Sequence, residues 1–235
     1  MDLKILYQDN DVLVIDKPAG VVVFPEGQTK ENTLIDLLLK QYPDLKIAGA
    51  PPRYGIVHRL DKNTSGILLA AKSTDALIFL QKQFKNREVA KKYTALATGV
   101  IYEDTGVIHT LIGRSKSDPR KQAAHSLEYT GKKDLREAIT EYKVIERFKN
   151  YTLLEVKIKT GRKHQIRAHL AHIHHPIAGD TLYGFKDSPC PKELSRQFLH
   201  ASYLKIQLLD GQTREFKSEL STDLTNIIKN LEDKS

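Results

Sequence analysis

Apolar positions along this chain fall into short β-like runs broken by a few stretches of helical period. Ile5-Leu-Tyr and Val12-Leu-Val-Ile15, separated by Gln8-Asp-Asn-Asp11, read as a hairpin. Lys17-Pro-Ala-Gly20 has the composition of a turn and leads into Val21-Val-Val-Phe24. From Thr33 to Tyr42, residues Leu34, Leu37, Leu38 and Tyr42 stand at helical spacing, with Asn32 or Thr33 as N-cap and Pro43 as the stop. Residues 43–57 carry Pro43, Gly49, Pro51, Pro52 and Gly55 and read as a loop delivering the chain to His58.

The next stretch, His58-Arg-Leu-Asp61-Lys-Asn-Thr-Ser-Gly66-Ile-Leu-Leu-Ala-Ala-Lys72, changes character sharply. Ionisable side chains open it, Thr64-Ser65-Gly66 turns it, and an unbroken apolar run closes it at a lysine. That is the pattern of a reactive loop fixed to a strand covered on both faces. A carboxylate just before such a strand sits at the core's edge beside Arg59, which makes Asp61 a catalytic candidate. The competing reading is a structural ion pair between Asp61 and Arg59. After Lys72, Ser73 or Thr74 caps a helix whose buried stripe is Leu77, Leu80 and Phe84 and which ends near Asn86.

Lys91 to Gly99 reads as a strand with Tyr93, Ala95 and Ala97 on one face and Thr94, Leu96 and Thr98 on the other. A lone tyrosine on a strand is usually packing. Residues 101–137 look least regular, with Gly106, Gly113, Pro119 and Gly131 among the basic residues Arg114, Lys116, Arg120, Lys121, Lys132, Lys133 and Arg136. Either a solvated connection or, with a polyanionic partner, a set of phosphate contacts is expected there. Ala138–Phe148 and Tyr151–Lys159 flank Lys149-Asn150 as a hairpin. Ile166, His169, Leu170 and Ile173 mark one face of a further helix; Leu199-His200-Ala201 and the run from Leu204 to Leu209 read as a closing strand; Leu224, Ile227, Ile228 and Leu231 mark a C-terminal amphipathic helix. No internal repeat or low-complexity segment is visible.

At 235 residues the chain can bury a core without covalent staples, and a single domain spanning 1–235 is expected. One cysteine, Cys190, excludes an internal disulfide and fits a reducing compartment. No run approaches the roughly 18 to 20 apolar residues that span a bilayer, and the N-terminus lacks a signal-peptide core, so a cytoplasmic protein without a membrane partner is expected. Thirty-seven basic against 29 acidic residues give a net charge of +8. That excess favours a polyanionic partner.

His58-Arg-Leu-Asp61-x-x-Thr-Ser-Gly66-Ile-Leu-Leu-x-Ala-Lys72 resembles the signature of the RluA family of RNA pseudouridine synthases, in which the aspartate is the catalytic carboxylate. Lys91-Lys-Tyr93-x-Ala resembles the family's second motif, whose tyrosine lies against the target base. Arg162-Lys-His164-Gln-Ile166-Arg167 resembles the third, whose last arginine pairs with the carboxylate; here Lys163 stands where relatives typically have Thr. With Asp9-Asn10-Asp11 through Gly20 and the Pro176-to-Gly184 loop, the likeness runs from about residue 5 to about residue 210. It implies an α+β fold with a central, mainly antiparallel mixed sheet, and an isomerase acting on structured RNA, ribosomal or transfer. Asp61, Tyr93 and Arg167 are the implied catalytic residues, with Arg59, Arg162, His164 and Ile166 on the RNA. If residues 59–61 are extended, Arg59 and Asp61 point the same way. No cofactor and no obligatory protein partner are implied, and a monomer is expected. Relatives often carry an S4-like domain ahead of the catalytic one, for which no room is expected before Ile5.

Other chemistries fit less well. Five of the nine histidines lie between 164 and 175, yet no His-Glu-x-x-His occurs and Asp180 is the one nearby carboxylate, so no metal site is assigned. Ser65 lacks a nucleophile elbow, and no phosphate-cradling glycine motif is present. A non-catalytic basic RNA-binding protein is the alternative, distinguished by whether Asp61 is dispensable.

Overall fold

The computed structural model describes residues 3–25, 32–131 and 134–232. In chain order its elements are β1 (Lys4–Gln8), β2 (Val12–Lys17), α1 (Leu34–Gln41), a 3-10 turn (Pro43–Ile47), β3 (Ser65–Ala71), α2 (Thr74–Asn86), β4 (Ala90–Thr98), β5 (Thr105–Arg114), β6 (Gln122–His125), β7 (Arg136–Phe148), β8 (Tyr151–Ile158), α3 (Gln165–His172), β9 (Leu199–Gln207), β10 (Thr213–Lys217) and α4 (Thr222–Glu232). The chain divides into two compact units: Met1–Ala90 with Ala201–Glu219, and Lys91–His200 with Leu220–Ser235. Among the described residues no helix is long and apolar enough to cross a membrane.

In the first unit β1, β2, β3 and β9 lie in that order, with β10 beside β9. The expected hairpin pairs β1 with β2, and β2 runs antiparallel to β3. Every residue of β3 is buried, as its unbroken apolar run requires of a strand covered on both faces. One of those faces packs Ile67 and Leu69 with Val12 and Val14 of β2 against Leu77 and Leu80 of α2; Leu204, Ile206 and Phe216 complete the cluster. Ser73 caps α2 by accepting from Ala76 N at 3.2 Å. At α1, Thr33 donates from its backbone N and its hydroxyl to Asp36 Oδ2, while Leu34 N and Ile35 N donate to Val22 O and Val23 O. Residues 22–23 thus supply acceptors to the first turn of α1.

In the second unit the order is β4, β8, β7, β5, β6, antiparallel throughout. Phe148 pairs with Tyr151 across the Lys149-Asn150 turn, where the hairpin was expected. α3 packs Ala168 against Ile112 of β5, Ala138 of β7 and Tyr183. Strands and helices segregate in this way into an α+β fold of mainly antiparallel sheet, matching the sequence-based expectation.

Three strands were missed: β5, β6 and β10. Residues 101–137 hold β5 and β6 rather than a solvated connection; of their basic residues, Lys132 and Lys133 lie outside the described residues. β5 was obscured by its glycines, which read as breaks. Gly106 instead makes room for a neighbour, since a Cβ there would stand 2.3 Å from the Tyr142 ring. β10 has one apolar residue, the buried Phe216, too weak a pattern to recognise alone.

Gly66 has φ +109°, and a Cβ on it would lie 2.3 Å from Ala201 O. Gly66→Ala is therefore expected to cost about 2–3 kcal/mol through a disfavoured backbone and a backbone clash. A urea midpoint equal to that of the wild type would contradict this packing.

Candidate active site

Asp61 stands at the start of a turn closed by Thr64 N donating to Asp61 O at 3.1 Å, immediately before β3. Burial alternates along the approach, with Leu60 inward at 5% exposure, Arg59 exposed and Asp61 half-buried. Arg59 lies 5.4 Å over the Phe24 ring, and Arg53 lies 4.8 Å from the same ring. Burial pulls the Arg59 guanidinium below its ordinary pKa, and the charge of Asp61 raises it in part. His58 is tied to the strand that follows: Leu69 N donates to its Nε2 at 3.0 Å, and its ring stacks on Phe84 at 4.9 Å.

Behind this turn lies a residue that the sequence reading treated as turn chemistry. Lys17 is fully buried, and its Nζ donates to Pro18 O at 2.7 Å, Val21 O at 2.9 Å and Lys62 O at 3.1 Å. Gly20 N donates to the same Lys62 carbonyl at 2.9 Å. The carbonyl next to Asp61 is thus held twice, and the loop after β2 is clamped to the loop before β3. A signal was available in the sequence. Lys17 is in phase with Leu13 and Ile15 on β2, on a face that is buried throughout.

The second unit carries the remaining predicted residues. Tyr93 is 8% exposed on β4, opposite Val156, with Ala95 and Ala97 fully buried on its face. Lys91 shares that face, and burial lowers its pKa to about 8. Arg167, 7% exposed, projects from α3. Its Nε and Nη2 donate to Asp180 Oδ2 and Oδ1 at 2.7 and 2.9 Å. Asp180 Oδ1 also accepts from Leu182 N and Tyr183 N, both at 3.0 Å. The Tyr183 ring lies 5.0 Å from the guanidinium; its hydroxyl accepts from Gln122 N at 2.7 Å and bonds with His164 Nδ1 at 3.0 Å. His164 itself has a left-handed backbone, φ 56°, as the N-cap of α3.

Of the residues assigned to RNA, Arg162 directs its Nε to Glu137 O at 3.0 Å, and Ile166 is buried at 5% exposure. Among the basic residues of 101–137, Arg114, Lys116 and Arg120 are exposed, and Arg120 pairs with Asp118 at 2.7 Å. Asp180 and Tyr183 were absent from the predicted set; their sequence signal was the Asp180-x-Leu-Tyr183 loop itself.

A second buried network sets the position of α3. Gln165 Oε1 accepts from the Thr160 hydroxyl at 2.8 Å and from Arg162 N at 3.0 Å, and its Nε2 donates to Ile139 O and Thr140 Oγ1, both at 3.0 Å. His169, fully buried, bridges the Thr140 hydroxyl at Nδ1 (2.8 Å) and the Thr110 hydroxyl at Nε2 (2.9 Å). Burial, then the charges of His172 and His109, hold its pKa near 4. Among the described residues no three His, Cys, Asp or Glu side chains gather as metal ligands.

Residues 11–172 match the protein family described as RNA pseudouridylate synthase. The chain is 40% identical over 232 residues to an uncharacterized RNA pseudouridine synthase, YlyB, of Bacillus subtilis, covering 98% of this chain and 73% of that protein. An uncharacterized RNA pseudouridine synthase of Aquifex aeolicus is 44% identical over 194 residues, covering 82% of this chain and 59% of its own length. Ribosomal large subunit pseudouridine synthase D of Pasteurella multocida is 36% identical over 243 residues, with 98% and 71% covered. Among solved structures, Human RNA Pseudouridylate Synthase Domain Containing 1 superposes with a TM-score of 0.74 at 26% identity, covering 98% of this chain and 95% of that one.

His169 makes a prediction about acid stability. With its folded pKa near 4 and an unfolded value near 6.5, the unfolded chain binds the extra proton between those limits. Stability is full above about pH 6.5 and falls as pH drops toward 4, by about 3 kcal/mol from this group. His169→Gln should flatten that segment of the stability-versus-pH curve measured by chemical denaturation. Parallel curves for the two proteins would show that the buried imidazole is not responsible.

Proposed function

The chain belongs to the RluA-type family of RNA pseudouridine synthases, which are isomerases, and from that membership we propose that it converts specific uridines of a structured RNA to pseudouridine with Asp61 as the catalytic carboxylate. Ribosomal RNA is the favoured substrate, because relatives at 36–40% identity are named ribosomal large subunit pseudouridine synthase D, with transfer RNA as the second candidate. On this reading the protein acts in the cytoplasm as a monomer and uses no cofactor, since the reaction is a rearrangement without an external donor or acceptor.

The chemistry breaks the bond from ribose C1′ to uracil N1, turns the base over and joins C5 to C1′. The C5 proton is then lost and N1 gains one, so atoms balance. A carboxylate at the sugar serves either by attacking C1′ or by taking the 2′ proton. The observation that carries the assignment is the position of Asp61 in the matched motif, on a turn whose neighbouring carbonyl is clamped by Lys17 and Gly20. A carboxylate on so fixed a backbone loses little orientation between substrate binding and reaction.

Tyr93 is assigned to the freed uracil, where its ring would stack and assist loss of the C5 proton. Arg167 is assigned to the carboxylate, as the family resemblance implies; its grip by Asp180 and its place over Tyr183 make it a guanidinium of fixed orientation. The target base must first leave its stack, at a cost of about a few kcal/mol. Arg59, exposed and resting on Phe24, is suited to offset part of that cost by filling the vacated place or binding the phosphate.

Asp61→Asn is expected to keep RNA affinity while lowering pseudouridine formation by on the order of a thousandfold or more. Arg59→Ala is expected to act mainly on binding, raising Kd roughly tenfold, about 1.4 kcal/mol. Both are read from RNA titration and from quantitative mapping of pseudouridine in total RNA with and without the gene. Near-normal product from Asp61→Asn would end the assignment of Asp61 as the catalytic carboxylate, whereas RNA binding with no gene-dependent pseudouridine would favour the alternative of a non-catalytic RNA-binding protein.

A further inference from the structure

At the end of β4 the second unit carries a cavity of about 430 Å³, none of whose lining residues has been assigned above. It is lined by Thr98 and Gly99, the Lys149-Asn150 turn, His174, His175 and the 185–189 loop. We propose that this cavity is a second RNA subsite, holding one or two backbone phosphates and an unstacked base of the substrate strand; it rests on the RNA-substrate reading above.

Three observations point there. Lys149 and Lys186 are exposed around the mouth against Asp187 as the one carboxylate lining it, which leaves the rim net positive by one. Phe185 lines the cavity and is 49% exposed, its ring 6.2 Å from that of His174, so an aromatic surface is available beside the cations. His174 adopts φ 66°, a conformation rare for a non-glycine residue, while His175 Nδ1 is engaged with Thr98 O at 2.9 Å and forms a fixed wall. Exposed cations beside an aromatic plate are the two parts of single-stranded RNA binding: one takes the backbone, the other the base. The depression is open to solvent, as a surface that tracks a single strand is, and its volume accommodates a base.

Position gives the site its purpose. Gly99 is six residues beyond Tyr93 (99 − 93), about 20 Å along the strand at roughly 3.3 Å per residue. A nucleotide held there is several positions from the target uridine. Binding at that distance selects which uridine is presented, without touching the chemistry.

The test is a salt titration of the whole protein with a fluorescein-labelled 12-nucleotide oligouridylate, alongside pseudouridine formation in unmodified ribosomal RNA transcripts. Lys149→Ala/Lys186→Ala should reduce the slope of log K against log[salt] by about 1.4, at roughly 0.7 per lost phosphate contact. Phe185→Ala should weaken binding roughly 5- to 100-fold with the slope unchanged. Lys82→Ala, on the exposed side of α2, should alter neither. An unchanged slope in the double variant, or unchanged affinity in Phe185→Ala, overturns the subsite even if the wild type makes pseudouridine. Displacement of the RNA by polyglutamate at equal charge also overturns it, in favour of an acidic protein segment. A wild type that makes no pseudouridine defeats the enzymatic reading instead, and the RNA titration then decides the subsite alone.

Discussion

The first unit depends on a positive charge with no access to water. Removing an ammonium from solvent costs several kcal/mol, which a protein recovers only by surrounding it with well-placed acceptors. Lys17 obtains them from three backbone carbonyls, on residues 18, 21 and 62. Because those carbonyls come from two loops, neither loop can move without exposing or stranding the charge. The turn that begins at Asp61 inherits this rigidity through Lys62, and β3 behind it, buried along its whole length, supplies the backing. A candidate catalytic group is in this way mounted on a loop whose stiffness comes from elsewhere in the chain.

In the second unit the same problem, holding a charged group largely out of water, is solved by a different device. Arg167 is gripped on two nitrogens by a buried carboxylate whose own geometry is set by two backbone N–H groups of the following loop. The helix carrying Arg167 is seated by side chains that leave little hydrogen-bonding capacity unused: Gln165 makes four bonds, and His169 bridges two strand threonines. A network this complete is costly to break at any member, because each loss strands a buried partner. The depressed pKa of His169 follows from the same burial.

The site was legible in the sequence as residue types and poorly legible as supports. Asp61 stood out because ionisable residues open a stretch that otherwise reads as a buried strand, whereas Tyr93 and Arg167 were singled out only by the family resemblance. Lys17, Asp180 and Tyr183 did not stand out, since lysine beside proline and Asp-x-Leu-Tyr-Gly both read as ordinary turns. Their importance lies in what they touch, and their partners are 45 residues away for Lys17 and Lys62 and 61 for Tyr183 and Gln122. The density of histidines between 164 and 175 invited a metal reading that the sequence already disfavoured; in the structure His169 is a core residue and His164 the N-cap of α3.

Local periodicity sufficed for α1, α2, α3 and α4, for the β1–β2 and β7–β8 hairpins, and for the full burial of β3, because each is specified by residues close in sequence. It did not suffice for β5, where Gly106 looks like a break until the ring of Tyr142 is placed over it, or for β10, whose single apolar residue means nothing without Leu204 and Ile206 to pack against. Sequence by itself determined the family, through its motifs, and the segments whose period is set by near neighbours. Tertiary structure alone decided what holds the site residues still, since a buried charge or a satisfied amide is defined by partners that no local pattern contains.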